Sequence, residues 1–295
     1  MCYGFLFFNK KMIQPKKRMI FHFYINENWK SSITNRIHLE CLRHYSHIFD
    51  EVVFVISIDD TSNCDLIRSL ELELLDLGLT PNITFKIVDN TYLRDSKTFY
   101  DFIATKLDKY DGLTFFCHNK GTTNLNVYDL ENVSKWITSM YYLSLEYIGE
   151  TIHCLTDGRM LTYGSLINYI SYDDILVTEE GVEPKQKFVD KTKLFLGENK
   201  YLYTGTFFWL NTLSIYEYMR KNNIELPKLT DRWYAENFCA NLFKLDFAFS
   251  HRGRYSLNYL QDGAEIEHMI KHNMLEEEFD DYLNFHNNIM NLVSE

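Results

Sequence analysis

Four apolar runs, MIFHFYI, EVVFVISI, ITFKIV and LTFFC, recur through residues 19–117 with helix-length segments between them, and this alternation constrains the fold more than any other feature. Short runs rich in Val, Ile and Phe read as strands, and near-continuous apolar character marks strands buried on both faces. Consecutive strands separated by helices need crossover connections, so they pair in parallel and their helices cover both faces of the sheet. Helices are predicted over Ser31–Ile48, with Ser31 or Ser32 as cap, over Asp65–Leu77, and from a cap at Asp95 or Ser96 to about Lys109. Pro81 and Asn82 open the third strand, and Asp111 and Gly112 turn the chain into the fourth. The expected class is α/β, a mostly parallel sheet flanked by helices.

Beyond the fourth strand the rhythm changes. Asp129–Ile148 reads as one long helix in which Trp136, Tyr141, Tyr142 and Tyr147 are core residues. Ile175–Lys200 has weak periodicity and reads as a long loop or lid. YLYTGTFFWLN is predicted as a single strand, followed by helices over Ser214–Asn222 and Asp231–Phe243, and LDFAFS as a last strand ending at His251. Residues 1–18 are taken as an extension outside the fold, 19–260 as the domain and 261–295 as an acidic amphipathic helical tail.

Charge and cysteine usage narrow the function classes. A net charge of -11 argues against a nucleic-acid binder, which needs a basic face. Cys2, Cys41, Cys64, Cys117, Cys154 and Cys239 show no CxxC spacing and read as reduced thiols of a cytoplasmic protein. No apolar run reaches the ~20 residues of a membrane helix, which leaves at most a weak peripheral contact through the Phe and Lys residues of 1–18. GxGxxG, GxxxxGK[ST] and GxSxG are all missing. His38, His44 and His47 lie on one helix without a completing carboxylate, so a metal site is not expected there.

Five polar clusters fall at strand ends, which converge along one edge of a parallel sheet and there gather ligands. They are Asn26 with Asn28, Asp59 with Asp60, Arg94 with Asp95, His118–Gly121, and the late group Gly205, Glu236, His251 and Arg252. The Asp59 and Asp60 carboxylates suit ribose hydroxyls or a base N–H, with a helix cap as the alternative role. Lys120 beside Gly121 suits an approaching phosphate, and His118 stands next to it. Glu236, on a helix among aromatics, suits a general base, with an exposed helical glutamate as the alternative. Gly205, Thr206 and Trp209 in TGTFFWLN are either ligand-lining or strand core.

In the order SIDDTSN, VDNTYLRDSKTFYDFI, FFCHNKG, YTGTFFWLN and YAENF, these clusters resemble the GT-A (Rossmann-like) glycosyltransferases. They are most similar to the rhamnan synthesis protein F kind of polysaccharide glycosyltransferase. The matching positions are Asn90 with Arg94 and Asp95, His118 with Lys120, Gly205 to Trp209, and Glu236, and the resemblance spans about Met19 to Arg254. It implies transfer of a sugar from a nucleotide-sugar donor to a glycan or glycoconjugate acceptor in polysaccharide biosynthesis. Asn26, Asp59, Asp60, Arg94, Asp95, His251 and Arg252 would bind the donor, Gly205, Thr206 and Trp209 the acceptor, with Glu236 as base and Lys120 and His118 beside the diphosphate.

The chain departs from that pattern at the fourth strand. Typical GT-A enzymes hold Mn²⁺ or Mg²⁺ there through D-x-D, whereas this chain has His118, Asn119 and Lys120, which offer a hard cation no carboxylate pair. A metal-independent enzyme is therefore expected. The alternative is a catalytically inactive glycan- or nucleotide-binding module of the same fold.

Overall fold

The computed structural model describes residues 14–79, 82–119, 130–158, 160–164, 167–169, 201–203, 206–243, 248–250, 254–255 and 275–294. The four expected strands are β1 (Lys16–Ile25), β2 (Glu51–Ile58), β3 (Ile83–Asp89) and β4 (Gly112–His118). They are followed by β5 (Thr162–Gly164), β6 (Ile167–Tyr169), β7 (Tyr201–Tyr203), β8 (Phe208–Asn211), β9 (Ala248–Ser250) and β10 (Arg254–Tyr255). Seven of them form one sheet in the order β3-β2-β1-β4-β8-β5-β9, and β10-β6-β7 form a second. In the large sheet every neighbouring pair is parallel except those of β8, which runs antiparallel to β4 and β5.

The helices are α1 (Ile33–Tyr45), α2 (Cys64–Asp76), α3 (Arg94–Phe102), α4 (Leu130–Leu145), α5 (Ile148–Thr156), α6 (Thr212–Lys221), α7 (Tyr234–Leu242) and α8 (Glu276–Ser294). Strand periodicity sorts their packing. Phe21, Phe23, Phe54, Ile56, Phe115 and Trp209 face one way, into a core shared with α1, α2, α4 and α8. Ile20, Val53, Val55, Phe116, Phe208 and Leu210 face the other, against α3, α6 and α7. A mostly parallel sheet covered on both faces and a helical C-terminal tail is the α/β architecture that the strand–helix alternation and the GT-A resemblance imply. No helix among the described residues is long and apolar enough to cross a membrane.

Several elements differ from the sequence reading. β1 begins at Lys16, so the end of the supposed N-terminal extension lies in the sheet: Lys17 N–H donates to Asp50 and the Arg18 guanidinium sits 3.9 Å over the Tyr110 ring. The helix expected to reach Lys109 stops at Phe102, because Ile103 leaves helical geometry; a 3₁₀ segment (Ala104–Lys109) then seats Ala104 and Leu107 in the core. Tyr201–Tyr203 and Phe208–Asn211, expected as one strand, are two strands in different sheets, with Thr206 at φ 56 just before β8. α5, β5 and β6 were not foreseen. The expected lid, 175–200, lies outside the described residues.

Candidate active site

The carboxyl ends of β1 to β4 share one edge, since His22 pairs with His118, Ile25 with Ile58 and Ile58 with Asp89. At the β2 end, Asp59 accepts from the Tyr24 hydroxyl at 2.8 Å and from Asn90 Nδ2 at 2.7 Å. Burial and the bond to Asp59 raise the Tyr24 pKa, so the phenol donates as a neutral hydroxyl. Asn26 joins this group beside Tyr24 and also accepts from Asn28 N–H at 3.0 Å. The two aspartates separate in role. Asp60 is exposed and accepts from Ser62 N–H and Oγ, a local turn whose hydrogen bonds lower its pKa, while Asp59 faces its neighbours across the edge.

A second group sits on the face covered by α3 and α7. His118 Nδ1 lies 3.0 Å from Asp95 Oδ2, and Thr206 Oγ1 contacts both that nitrogen and, at 3.2 Å, the carboxylate. An Nδ1–H donated to Asp95 leaves Nε2 as the lone-pair nitrogen. Both residues are almost buried, with side chains 13% and 14% exposed. His22, paired with His118 across the β1–β4 ladder, bonds Thr98 Oγ1 at 2.8 Å. Burial pushes its pKa down to about 4, helped by His118 and opposed by Asp95, so this imidazole is neutral at physiological pH.

The third group joins the N-termini of α3 and α7. Ser96 Oγ donates to the Arg232 carbonyl at 2.8 Å and accepts from Ala235 N–H at 3.0 Å, which fixes one helix start against the other. Glu236 lies in the first turn of α7 and is only 9% exposed. Burial lowers the pKa of Arg232, as does the neighbouring Arg94 guanidinium, while Glu236 and Asp95 act the opposite way. Arg94 also bears electrostatically on Tyr24. Its backbone is left-handed, at φ 49, a conformation that costs a residue with a Cβ about 1–2 kcal/mol and that clusters at functional sites.

Of the residues singled out from sequence, Asn26, Asp59, Arg94, Asp95, His118, Thr206 and Glu236 are thus brought to one edge. Lys120, Gly205, His251 and Arg252 lie outside the described residues. Trp209 is not an acceptor-lining residue: its side chain points to the opposite face, fully buried, with rings of Phe49 and Phe115 5.4 and 5.1 Å away and Nε1 donating to the Ser144 carbonyl at 2.9 Å. The cause is the two-residue period of β8, which turns Phe208 and Leu210 toward α3 and α7 and Trp209 away from them. Asn119 is also structural. Its side chain accepts from Tyr24 N–H and donates to the Tyr24 carbonyl and to Asn35, extending the β1–β4 ladder by one step.

Sequence reading missed His22, Thr98, Tyr24 and Arg232. The single polar residue within MIFHFYI was the available signal for His22. For Arg232 it was a cation two residues before a helix that already carried a candidate base.

No family model matches the chain, and none of the curated proteins does. Solved structures similar to it include S. aureus TarS 1-349, 13% identical, covering 93% of this chain and 71% of that one at a TM-score of 0.35. Another is the mannosyltransferase Ktr4p from S. cerevisiae in complex with GDP, 12% identical, covering 80% and 67% at a TM-score of 0.28. At these TM-scores the function has to be read from the chain's own residues.

Proposed function

We propose that this chain is a glycosyltransferase that moves a sugar from a nucleoside-diphosphate sugar to a hydroxyl of a glycan or glycoconjugate. The observation that supports this most is the meeting, on one sheet edge, of a hydroxyl-bonding carboxylate at Asp59, cationic groups at Arg94 and Arg232, and a nearly buried carboxylate at Glu236. Asp59 is suited to accept from ribose hydroxyls or a base N–H. Glu236 takes the acceptor proton while the acceptor oxygen bonds to the anomeric carbon. The bond from that carbon to the diphosphate oxygen breaks, and its electron pair leaves with the nucleoside diphosphate. Preorganised positive charge around that leaving group is the kind of contribution that is often largest in enzymes. His118, positioned by Asp95 and Thr206, and Lys120, its near neighbour in sequence, belong to the same leaving-group side of this reading.

This proposal includes independence from the divalent metal that the GT-A resemblance implies. At the β4 end the chain reads His118, Asn119, Lys120, with no carboxylate, and the Asn119 amide is taken up by the Tyr24 backbone and Asn35. Among the described residues no three His, Cys, Asp or Glu side chains gather as such an ion requires. Transfer is accordingly proposed to proceed without it.

The test is nucleoside diphosphate release from a panel of nucleotide sugars in the presence of EDTA. Wild-type protein should turn over at least one donor, and Glu236→Gln should lower kcat about 100-fold or more with little change in KM. Wild-type rates in Glu236→Gln would remove the base assignment, and restoration of activity only by Mn²⁺ would remove metal independence. Binding without turnover across donors and acceptors would favour the inactive binding module.

A further inference from the structure

Asp59 has an acceptor capacity that the protein itself uses only in part. Each carboxylate oxygen carries two lone pairs. Oδ2 takes the Tyr24 hydroxyl at 2.8 Å and Oδ1 takes Asn90 Nδ2 at 2.7 Å, one neutral donor to each oxygen. Among the described residues no Lys, Arg or His forms an ion pair with this carboxylate. A carboxylate steadied from both sides, with acceptor capacity left on each oxygen, matches a partner that offers two parallel donors.

Among the common nucleobases guanine alone has such a pair on its Watson–Crick edge, N1–H beside the N2 amine. Uracil sets a single N–H between two carbonyls, while adenine and cytosine set an amine beside a lone-pair nitrogen. Each of these turns an acceptor toward the second carboxylate oxygen, and a polar site left unpaired in this way rejects its ligand strongly.

The turn that carries Asn90 also carries a ring. Tyr92 is 77% exposed, the most of any large apolar side chain among the described residues, and it makes no hydrogen bond or ring contact there. Single exposed aromatic side chains are ordinary; the place of this one is not. It lies two residues after Asn90, on a turn whose backbone is fixed at both ends. Asn90 N–H donates to the Ile58 carbonyl, Arg94 N–H to the Thr91 carbonyl and Leu93 N–H to Thr91 Oγ1. A rigidly carried aromatic face at the edge of a site suits a planar ligand, and stacking on such faces is a main source of base affinity.

We propose that the nucleotide taken at this edge is a guanosine nucleotide: Asp59, set by Tyr24 and Asn90, accepts N1–H and N2–H of the base, and Tyr92 stacks on the base plane. The guanine site rests on the nucleotide-sugar reading for its place in a reaction and adds to it the base and the residues that select it. A ribose diol also offers a carboxylate two donors, but it does so in every nucleotide and gives no choice of base.

The probes are the diphosphates of guanosine, inosine, adenosine, uridine and cytidine, titrated calorimetrically in EDTA. Inosine differs from guanosine only in lacking the N2 amine. Guanosine diphosphate should bind tightest, inosine diphosphate about tenfold more weakly and the other three about 100-fold more weakly or worse. Asp59→Ala should abolish the difference between guanosine and inosine. Tyr92→Ala should weaken guanosine diphosphate about tenfold while Tyr92→Phe keeps its affinity; a thermal melt without ligand checks that every variant is folded. Equal affinity for all five, lost together in Asp59→Ala, would put the carboxylate on ribose and overturn the guanine site, as would a preference for a pyrimidine. Unchanged guanosine diphosphate affinity in Tyr92→Ala removes the stacking role. If none of the five binds, the guanine site and the nucleotide-sugar reading fall together. Asp59-dependent selection of guanosine diphosphate without turnover of any guanosine-diphosphate sugar keeps the site and overturns only sugar transfer.

Discussion

His22 is a neutral imidazole walled into the sheet directly beneath the candidate site, and its titration makes a stability signature. In the unfolded chain a histidine binds its proton near pH 6.5, whereas the folded residue resists protonation until about pH 4. Between those values the unfolded state carries the extra proton, so the stability that His22 allows is complete above pH 6.5 and is lost as pH falls. The loss should reach about 2 kcal/mol by about pH 5. Urea unfolding at about pH 7.5 and 5 should show the stability drop shrinking by that amount in His22→Gln; equal drops in both proteins would mean that His22 does not titrate as described. Nothing in sequence separates this residue from an ordinary core histidine. Burial and the bond to Thr98 arise from the pairing of β1 with β4 and from α3 packing over them, both of them long-range facts. Asp59 and Glu236 stood out in the sequence because a carboxylate next to an apolar strand or on an aromatic-rich helix suggests chemistry.

Among elements, the contact between α3 and α7 decides whether the site exists, and Ser96 makes it. One hydroxyl serves an acceptor and a donor on the other helix, and Ser96 is fully buried. Ser96→Ala leaves both unsatisfied and should cost about 1–3 kcal/mol in urea unfolding. If Glu236 and Arg232 are held in place through this contact, kcat falls further than KM rises. A stability change within about 0.5 kcal/mol, the size of an ordinary surface substitution, would show that the contact does not couple the helices. The four leading strands were readable because each is a short apolar run bounded by turn residues, and β2 lies where EVVFVISI placed it. The stretch 201–211 reads as one strand because YLY and FFWL flank a TGT interruption of only three residues, whereas Tyr201–Tyr203 and Phe208–Asn211 lie in different sheets. The core position of Trp209 was hidden because a run of TFFW does not say which face each ring takes.

At the scale of the whole molecule, an acidic chain concentrates cationic and hydrogen-bonding groups at one edge of a parallel sheet. The crossovers force that convergence: the chain returns to the same side after every helix, so strand ends distant in sequence become neighbours. That much follows from the alternation alone. Which of the converging residues face one another does not, because it depends on register, on the two-residue strand period and on helix starts such as those of α3 and α7. Whether this edge binds a nucleotide sugar is decided by calorimetric titration of a nucleotide-sugar panel in EDTA into the wild type and Asp59→Ala. At least one donor should bind the wild type, with its affinity falling about tenfold or more in Asp59→Ala. A panel in which no nucleotide sugar binds, or in which Asp59→Ala binds as tightly as the wild type, would contradict binding at this edge.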